Sequence, residues 1–142
     1  MTRAPSTTHW WWMWAAVAWT AFVWVGRIRN ALADDTLSTS GLRGALAMSV
    51  VSLALAAVVA GWAVAARREP VAPSGLRTLV AVTLVWTVGL WLVRIYDIGS
   101  SGRWGGAFIA VHTTLGILSV ALWAVALVTA PESRSEEIPR YG

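Results

Sequence analysis

Four side chains in this sequence could do chemistry: Arg27, Arg94, Asp97 and His112. A guanidinium offers a rigid fork of N–H donors to a carboxylate or phosphate. An imidazole exchanges protons near neutral pH, and a carboxylate supplies a counter-charge. Arg27 and Arg94 each follow a tryptophan by three positions, Trp24 and Trp91, so one helical turn sets Trp and Arg on neighbouring faces. The two arginines could project toward a shared polar pocket that binds an anionic lipid headgroup or another small acidic ligand. They could equally be interface anchors, because Trp and Arg are the residues of membrane boundaries. His112 lies six residues beyond Gly106, about 9 Å along a helix axis. An ionisable residue inside an apolar run is a functional candidate, the plainer alternative being a hydrogen bond to a neighbouring helix. Counting turns places His112 on the same side of a bilayer as Arg27, Arg94 and Asp97. With Tyr96, Thr113 and Thr114 these four form one candidate polar cluster.

Other chemistries find no residues. The absence of cysteine excludes disulfides, thiolate metal sites and cysteine nucleophiles. His9 precedes the first apolar run while His112 sits toward the opposite face, so an intrachain bis-histidine haem is not expected, although a homodimer could pair two copies of His112. Asp97 and His112 are too few for a metal site. No phosphate-cradling loop or nucleophile elbow is present. The expectation is no catalytic residue, no cofactor and no metal: not an enzyme.

The elements that position these residues follow from charge distribution. Of 142 residues, 57% are hydrophobic and 13% charged, against about 25% charged in soluble domains. No charge falls in residues 4–26, 44–66, 78–93 or 104–131. A spanning helix needs about 20 mostly apolar residues. The third window is short, but Arg94 can snorkel and extend it. The sequence therefore predicts an all-α integral membrane protein of four transmembrane helices, near residues 10–29, 44–66, 76–95 and 105–130. All of 1–142 forms one membrane domain, with 131–142 a disordered polar tail. All five prolines fall outside the spans, and residues 70–75 read as a turn-rich linker. Stripes of small residues, Ala57-Gly61-Ala65 and Gly106-Ala110-Thr114, are candidate helix interfaces.

An internal repeat organises the spans. Trp19-Thr20-x-x-x-Trp24-x-x-Arg27-Ile28 recurs without gaps as Trp86-Thr87-x-x-x-Trp91-x-x-Arg94-Ile95. Downstream, Trp62-Ala63-Val64-Ala65 matches Trp123-Ala124-Val125-Ala126, and Gly44-Ala45 aligns with Gly106-Ala107, at an offset about six residues smaller. That alignment predicts a longer loop in the first hairpin and pairs His112 with Val50. The reading is two tandem parallel-repeat hairpins, 10–66 and 76–130, related by an axis along the membrane normal. Because the first run matches an internal span, it is expected to be retained. Its signal-like features, Arg3 and an Ala31-Leu32-Ala33 site, are opposed by six tryptophans and by Arg27 and Arg29.

All eleven basic residues are arginines set beside apolar runs, which argues against nucleic-acid binding. Arg3, Arg67, Arg68, Arg77, Arg134 and Arg140 fall on one side, and Arg27, Arg29, Arg43, Arg94 and Arg103 on the other. The positive-inside rule then favours cytoplasmic termini in a bacterial plasma membrane. The Trp86-x4-Trp91-x-x-Arg94 end, the short Asp/Gly loop and the His112-bearing span resemble small uncharacterised actinobacterial multi-span membrane proteins. The resemblance covers most of 86–128 and, more weakly, the first hairpin. It implies a two-span unit and transfers no activity. The expected role is that of a non-enzymatic accessory or structural subunit, or a membrane-organising protein. Its partners would be the lipid bilayer and a larger membrane complex or a second copy. The alternative is a small-ligand, anion- or lipid-headgroup-binding protein, or a transporter component, using Arg27, Arg94, Asp97 and His112.

Overall fold

The computed structural model describes residues 8–68 and 73–130. The tail 131–142, linker residues 70–72 and the side chains of His9, Arg67 and Arg68 lie outside what it describes. Four helices follow one another: α1 (Thr8–Ala33), α2 (Thr39–Arg68), α3 (Pro73–Ser100) and α4 (Gly106–Thr129). The first three outrun the expected spans. Pro73 to Gly75, expected in the linker, form the first turn of α3, where proline's missing N–H leaves no bond unmade.

Three stretches are long and apolar enough to cross a membrane: Thr39–Ala66, Gly75–Ser100 and Gly106–Thr129. α1 has the length, at 26 residues, but is not among them. Its six tryptophans, each with a polar indole N–H, together with Arg27 and Arg29, dilute its apolar character.

α1 packs along α2 and α4, and α3 along α4 and α2, while the diagonal pairs do not run together. The helices thus form a closed ring with neighbours antiparallel, as short connections require. The start of α1, end of α2, start of α3 and end of α4 share one end of the bundle. The apolar core lies in that half: Met13, Ala16, Ala56, Val59, Ala63, Leu76, Val80, Trp123 and Ala126. The other half, toward the two hairpin loops, holds Arg27, Arg94 and Asp97.

Those loops are of equal length, residues 34–38 and 101–105, so the longer first loop expected from the repeat is absent. In the first, Ser38 caps α2 by accepting a bond from the Gly41 amide at 3.1 Å. In the second, Gly102 adopts φ +63°, a left-handed conformation that glycine reaches without a Cβ penalty.

The expected small-residue interfaces are also misplaced. Ala57, Gly61, Ala65, Gly106, Ala110 and Thr114 all face outward. The inward stripes are instead Ser49, Ser52, Ala56, Val59 and Ala63 on α2, and Gly116, Ser119, Trp123 and Ala126 on α4, with Ala130 buried just beyond its end. Both helices carry small residues all round, so four-residue spacing alone cannot choose a face. Buried hydroxyls do.

These two stripes correspond position by position at a separation of 67: 49 with 116, 52 with 119, 56 with 123, 59 with 126 and 63 with 130. The same separation joins buried Met13 to Val80, Ala16 to Thr83 and Ala31 to Ile98. It also joins the ends of α1 and α3, and the starts of α2 and α4. Trp62 and Trp123, aligned in the sequence reading, do not occupy like places. Trp123 is fully buried in α4, whereas Trp62 lies half-buried with its ring over Gly75. At the separation of 67, His112 corresponds to Ala45 and not to Val50.

Candidate functional site

The ends of the two hairpins' first helices build the site. Arg27 stands six residues before the end of α1, and Arg94 six before the end of α3, each about 9 Å inside its helix terminus. One turn deeper, the rings of Trp24 and Trp91 reach across the diagonal between α1 and α3, their centroids 6.5 Å apart. The tryptophan pair thereby fixes both arginines at one level on facing helices. Arg27 is half-buried and feels the like charge of Arg94 and the opposite charge of Asp34. Arg94 has its own partner: Nη1 lies 3.5 Å from Asp97 Oδ2, with the two side chains 27% and 69% exposed. A long, exposed i,i+3 pair of this kind contributes at most about 1 kcal/mol.

Trp91 is itself nearly buried, at 6% exposure. Its Cε3 and Cδ2 lie about 3 Å from where a Cβ at Gly116 would stand, so α4 reaches this ring only because residue 116 has no side chain. The Trp91 Nε1 is buried with no hydrogen-bond partner in the protein. An unmade buried bond costs about 1–3 kcal/mol, and such a donor calls for an acceptor.

Beside the site, the first loop closes on Asp34. The Thr36 hydroxyl and amide donate to Asp34 Oδ1 at 2.6 and 3.1 Å. These two bonds hold the Asp34 carboxyl below the ordinary carboxylate range, burial opposing weakly and Arg27 assisting.

The contacts that His112 makes lie within α4. Its Nδ1 lies 2.9 Å from the Phe108 carbonyl, and because a carbonyl only accepts, Nδ1 carries the hydrogen. Its ring packs on Phe108 at 4.0 Å, and Phe108 stacks on Trp104 at 4.1 Å. The three rings form a column up the first turns of α4, at i, i+4 and i+8, the spacing that brings helical side chains into contact. Tyr96 is outward-facing, 77% exposed, and Thr114 bonds the Ala110 carbonyl of its own helix. Of the sequence-predicted cluster, the fold brings together Arg27, Arg94 and Asp97. Both contacts recorded for His112 are with Phe108. Among the described residues, no three His, Cys, Asp or Glu side chains gather where they could hold a metal ion.

No family model, curated protein or solved structure matches this chain. Its chemistry is read from its own residues.

Three tryptophan–hydroxyl bonds join helices in the interior, and the sequence reading missed all three. Trp19 Nε1 donates to Ser119 Oγ at 3.0 Å, Trp86 Nε1 to Ser52 Oγ at 3.0 Å, and Trp123 Nε1 to Thr20 Oγ1 at 3.1 Å. Ser119 and Ser52 pass their own hydrogens to the Leu115 and Met48 carbonyls. The first two bonds are reciprocal: a tryptophan in each hairpin's first helix reaches the serine in the other hairpin's second helix. Both tryptophans and both serines are separated by 67 positions. The signal was present, since the Trp19/Trp86 match already carried that separation, but the competing Trp-Ala-Val-Ala match drew α2 and α4 out of register.

Proposed function

We propose that this chain is a non-enzymatic multi-pass membrane protein, a structural or accessory subunit that packs against other membrane helices. The carrying observation is that its buried hydroxyls serve as fasteners. Among the described residues the buried polar side chains other than tryptophan are Thr20, Ser49, Ser52, Thr83 and Ser119, and none is charged. Three of these accept the tryptophan bonds that join helices, while Ser49 and Thr83 bond carbonyls of their own helices. Transport and proton relay call for ionisable groups at mid-bilayer. The charged residues here stand toward the helix ends, Arg27, Arg94 and Asp97 at the loop end and Arg77 at the other.

In this reading all four helices cross a bacterial plasma membrane, α1 included. At about 1.5 Å per residue its 26 residues reach about 39 Å, enough for a hydrocarbon core of about 30 Å. Its outward face carries Trp11, Phe22 and Val25, all strongly exposed, and suits lipid or a partner helix. The hairpins are tandem copies in one orientation, a reading supported by the reciprocal tryptophan–serine bonds and the common separation of 67. Termini are cytoplasmic on the arginine balance.

Because the chain lacks cysteine, a single cysteine at Ser6 should label from the cytoplasmic side and one at Ser38 from outside. Labelling of both from one side would remove α1 from the spans. For the role itself, a photo-crosslinking residue at Trp11 or Phe22 should trap a discrete protein partner in native membranes, and the same partner should co-purify in mild detergent. Adducts with lipid alone at both positions would refute the subunit role.

A further inference from the structure

We propose that Arg27, Arg94 and the indole N–H of Trp91 form a binding site for a phosphate oxyanion at the loop end of the bundle, between α1 and α3. Three observations converge. First, the Trp24–Trp91 contact sets the two arginines level on facing helices, one turn beyond the rings. Arg27 feels the like charge of Arg94, a repulsion that an anion between them would relieve, and a phosphate accepts from two forks at once. Second, the carboxylates here leave the arginines loosely matched. Asp97 is 69% exposed and 3.5 Å from Arg94, and Asp34 Oδ1 already accepts two bonds from Thr36. Third, Trp91 Nε1 is buried without a partner on the side chain that shares a helix face with Arg94. An unpartnered N–H one helical turn from Arg94 lacks an acceptor, and an oxyanion would supply one.

Depth fits the same ligand. α3 has 28 residues, about 42 Å at 1.5 Å per residue. With a core of about 30 Å, its last turns project beyond the hydrocarbon, and Arg94, about 9 Å from the end, comes near the boundary where lipid phosphates lie. The remaining charges at this end, Arg29, Arg43 and Arg103 against Asp35, are all exposed. They leave the surroundings net positive, which favours an anion further. The ligand class is a phosphate with unesterified terminal oxygens, and a phosphatidic acid headgroup and a free phosphate present the same oxygens.

The test titrates the full-length protein in neutral detergent with three probes. These are short-chain phosphatidic acid, the equivalent phosphatidylcholine and inorganic phosphate, each followed by calorimetry and by thermal stability. Binding of phosphatidic acid in preference to phosphatidylcholine, weakened by about tenfold or more in R27Q/R94Q, is the expected result. Equal binding of inorganic phosphate assigns the site to the free anion, and binding of the lipid alone assigns it to the headgroup. R29Q removes an exposed arginine at the same end and should leave affinity within about twofold of wild type. If R27Q/R94Q does not fold, R94Q and W91F carry the comparison. W91F keeps a ring over Gly116 and removes only the donor and part of the indole, so it should weaken binding several-fold without abolishing the melting transition. No binding of either phosphate probe by the wild-type protein overturns the proposal. So does affinity unchanged in R94Q and W91F, or lost equally in R29Q.

Discussion

The reciprocal tryptophan–serine bonds make a quantitative demand on stability. Trp19 with Ser119 and Trp86 with Ser52 share one geometry, Nε1 to Oγ at 3.0 Å, and each serine hydroxyl also bonds a carbonyl of its own helix. Replacing Trp by Phe removes the donor but also ring area. Replacing Ser by Ala removes the acceptor and leaves the carbonyl in its helical bond. Single variants therefore mix packing with bonding, and double-mutant cycles separate the two. Interhelical bonds in membrane bundles couple by about 0.6 kcal/mol on average, with about 1–2 kcal/mol in model peptides. Both donors here are partly sheltered from solvent, so W19F/S119A and W86F/S52A should each couple by about 0.6–1.5 kcal/mol. The two cycles should agree to within about 0.5 kcal/mol.

The informative comparison is the crossed pair. W19F with S52A sits within one hairpin, where a hairpin folding on its own would place its bond. In the ring of four helices these residues are not partners, and their effects should add to within about 0.3–0.5 kcal/mol. Reversible unfolding in mixed micelles, or steric trapping in bilayers, reads these differences. A coupling near zero in both partner cycles would refute the assignment of these bonds. Strong coupling of Trp19 to Ser52 would refute the reciprocal pairing across hairpins, since α1 and α2 are also neighbours in the ring.

Two further outcomes follow from particular contacts. G116A places a Cβ 3.0 Å from Trp91 Cε3 and 3.3 Å from Ile95 Cδ1. The ring is held by a buried environment, so the change should destabilise by about 1–3 kcal/mol, read in the same unfolding assay. G61A, on the outward face with open space at its Cβ, should be neutral or slightly stabilising. Asp34 titrates below the ordinary carboxylate value because Thr36 donates two bonds to it. Its contribution to loop order is thus present above the unfolded value of about 3.9 and lost as pH falls through the depressed folded value. Carboxyl NMR of T36V should find the Asp34 pKa moved up toward about 3.9, and an unchanged value would sink this account.

The helices were legible because charge is excluded from long windows, a signal that bilayer insertion imposes on every residue of a span. Which face of each helix turns inward was much less legible. In soluble helices the apolar stripe marks the core, but here both lipid and core accept Ala, Val and Leu, so the hydrophobic pattern loses its contrast. The inward face is marked by Ser49, Ser52, Thr83 and Ser119, residues that read in sequence as incidental hydroxyls. α1 illustrates the converse. Its tryptophans carry broad apolar rings, yet each polar N–H lowers the hydropathy of the helix, and α1 is not among the stretches apolar enough to cross a membrane. The candidate site was half visible: the arginines stood out by their repeat, whereas the lone Trp91 N–H depends on which neighbours surround it. His112 is an ionisable residue in an apolar run, and its Nδ1 bond to Phe108 satisfies one ring nitrogen of a half-buried imidazole locally.

Duplication of a hairpin, if it produced this fold, explains why the arginines face each other at all. Two-fold packing of a unit with an even number of spans sets each near-axis residue against its own copy. For Trp24 and Trp91 that self-pairing is favourable, because two rings meet. For Arg27 and Arg94 it is unfavourable, because a cation meets a cation. Symmetry alone cannot repair the second case, since a carboxylate added to one copy would be added to both. The chain carries its counter-charges asymmetrically instead. At the separation of 67, Asp97 in the second hairpin corresponds to Asn30 in the first, and Asp34 in the first to Ser101 in the second. Each arginine thus has one carboxylate within electrostatic reach, drawn from a different position in its own hairpin. Both carboxylates follow their arginines toward the loops, Asp34 seven residues and Asp97 three residues on, away from the tryptophan pair. The divergence therefore relieves the repulsion from the loop side, and the proposed anion would be held by arginines of both halves at once.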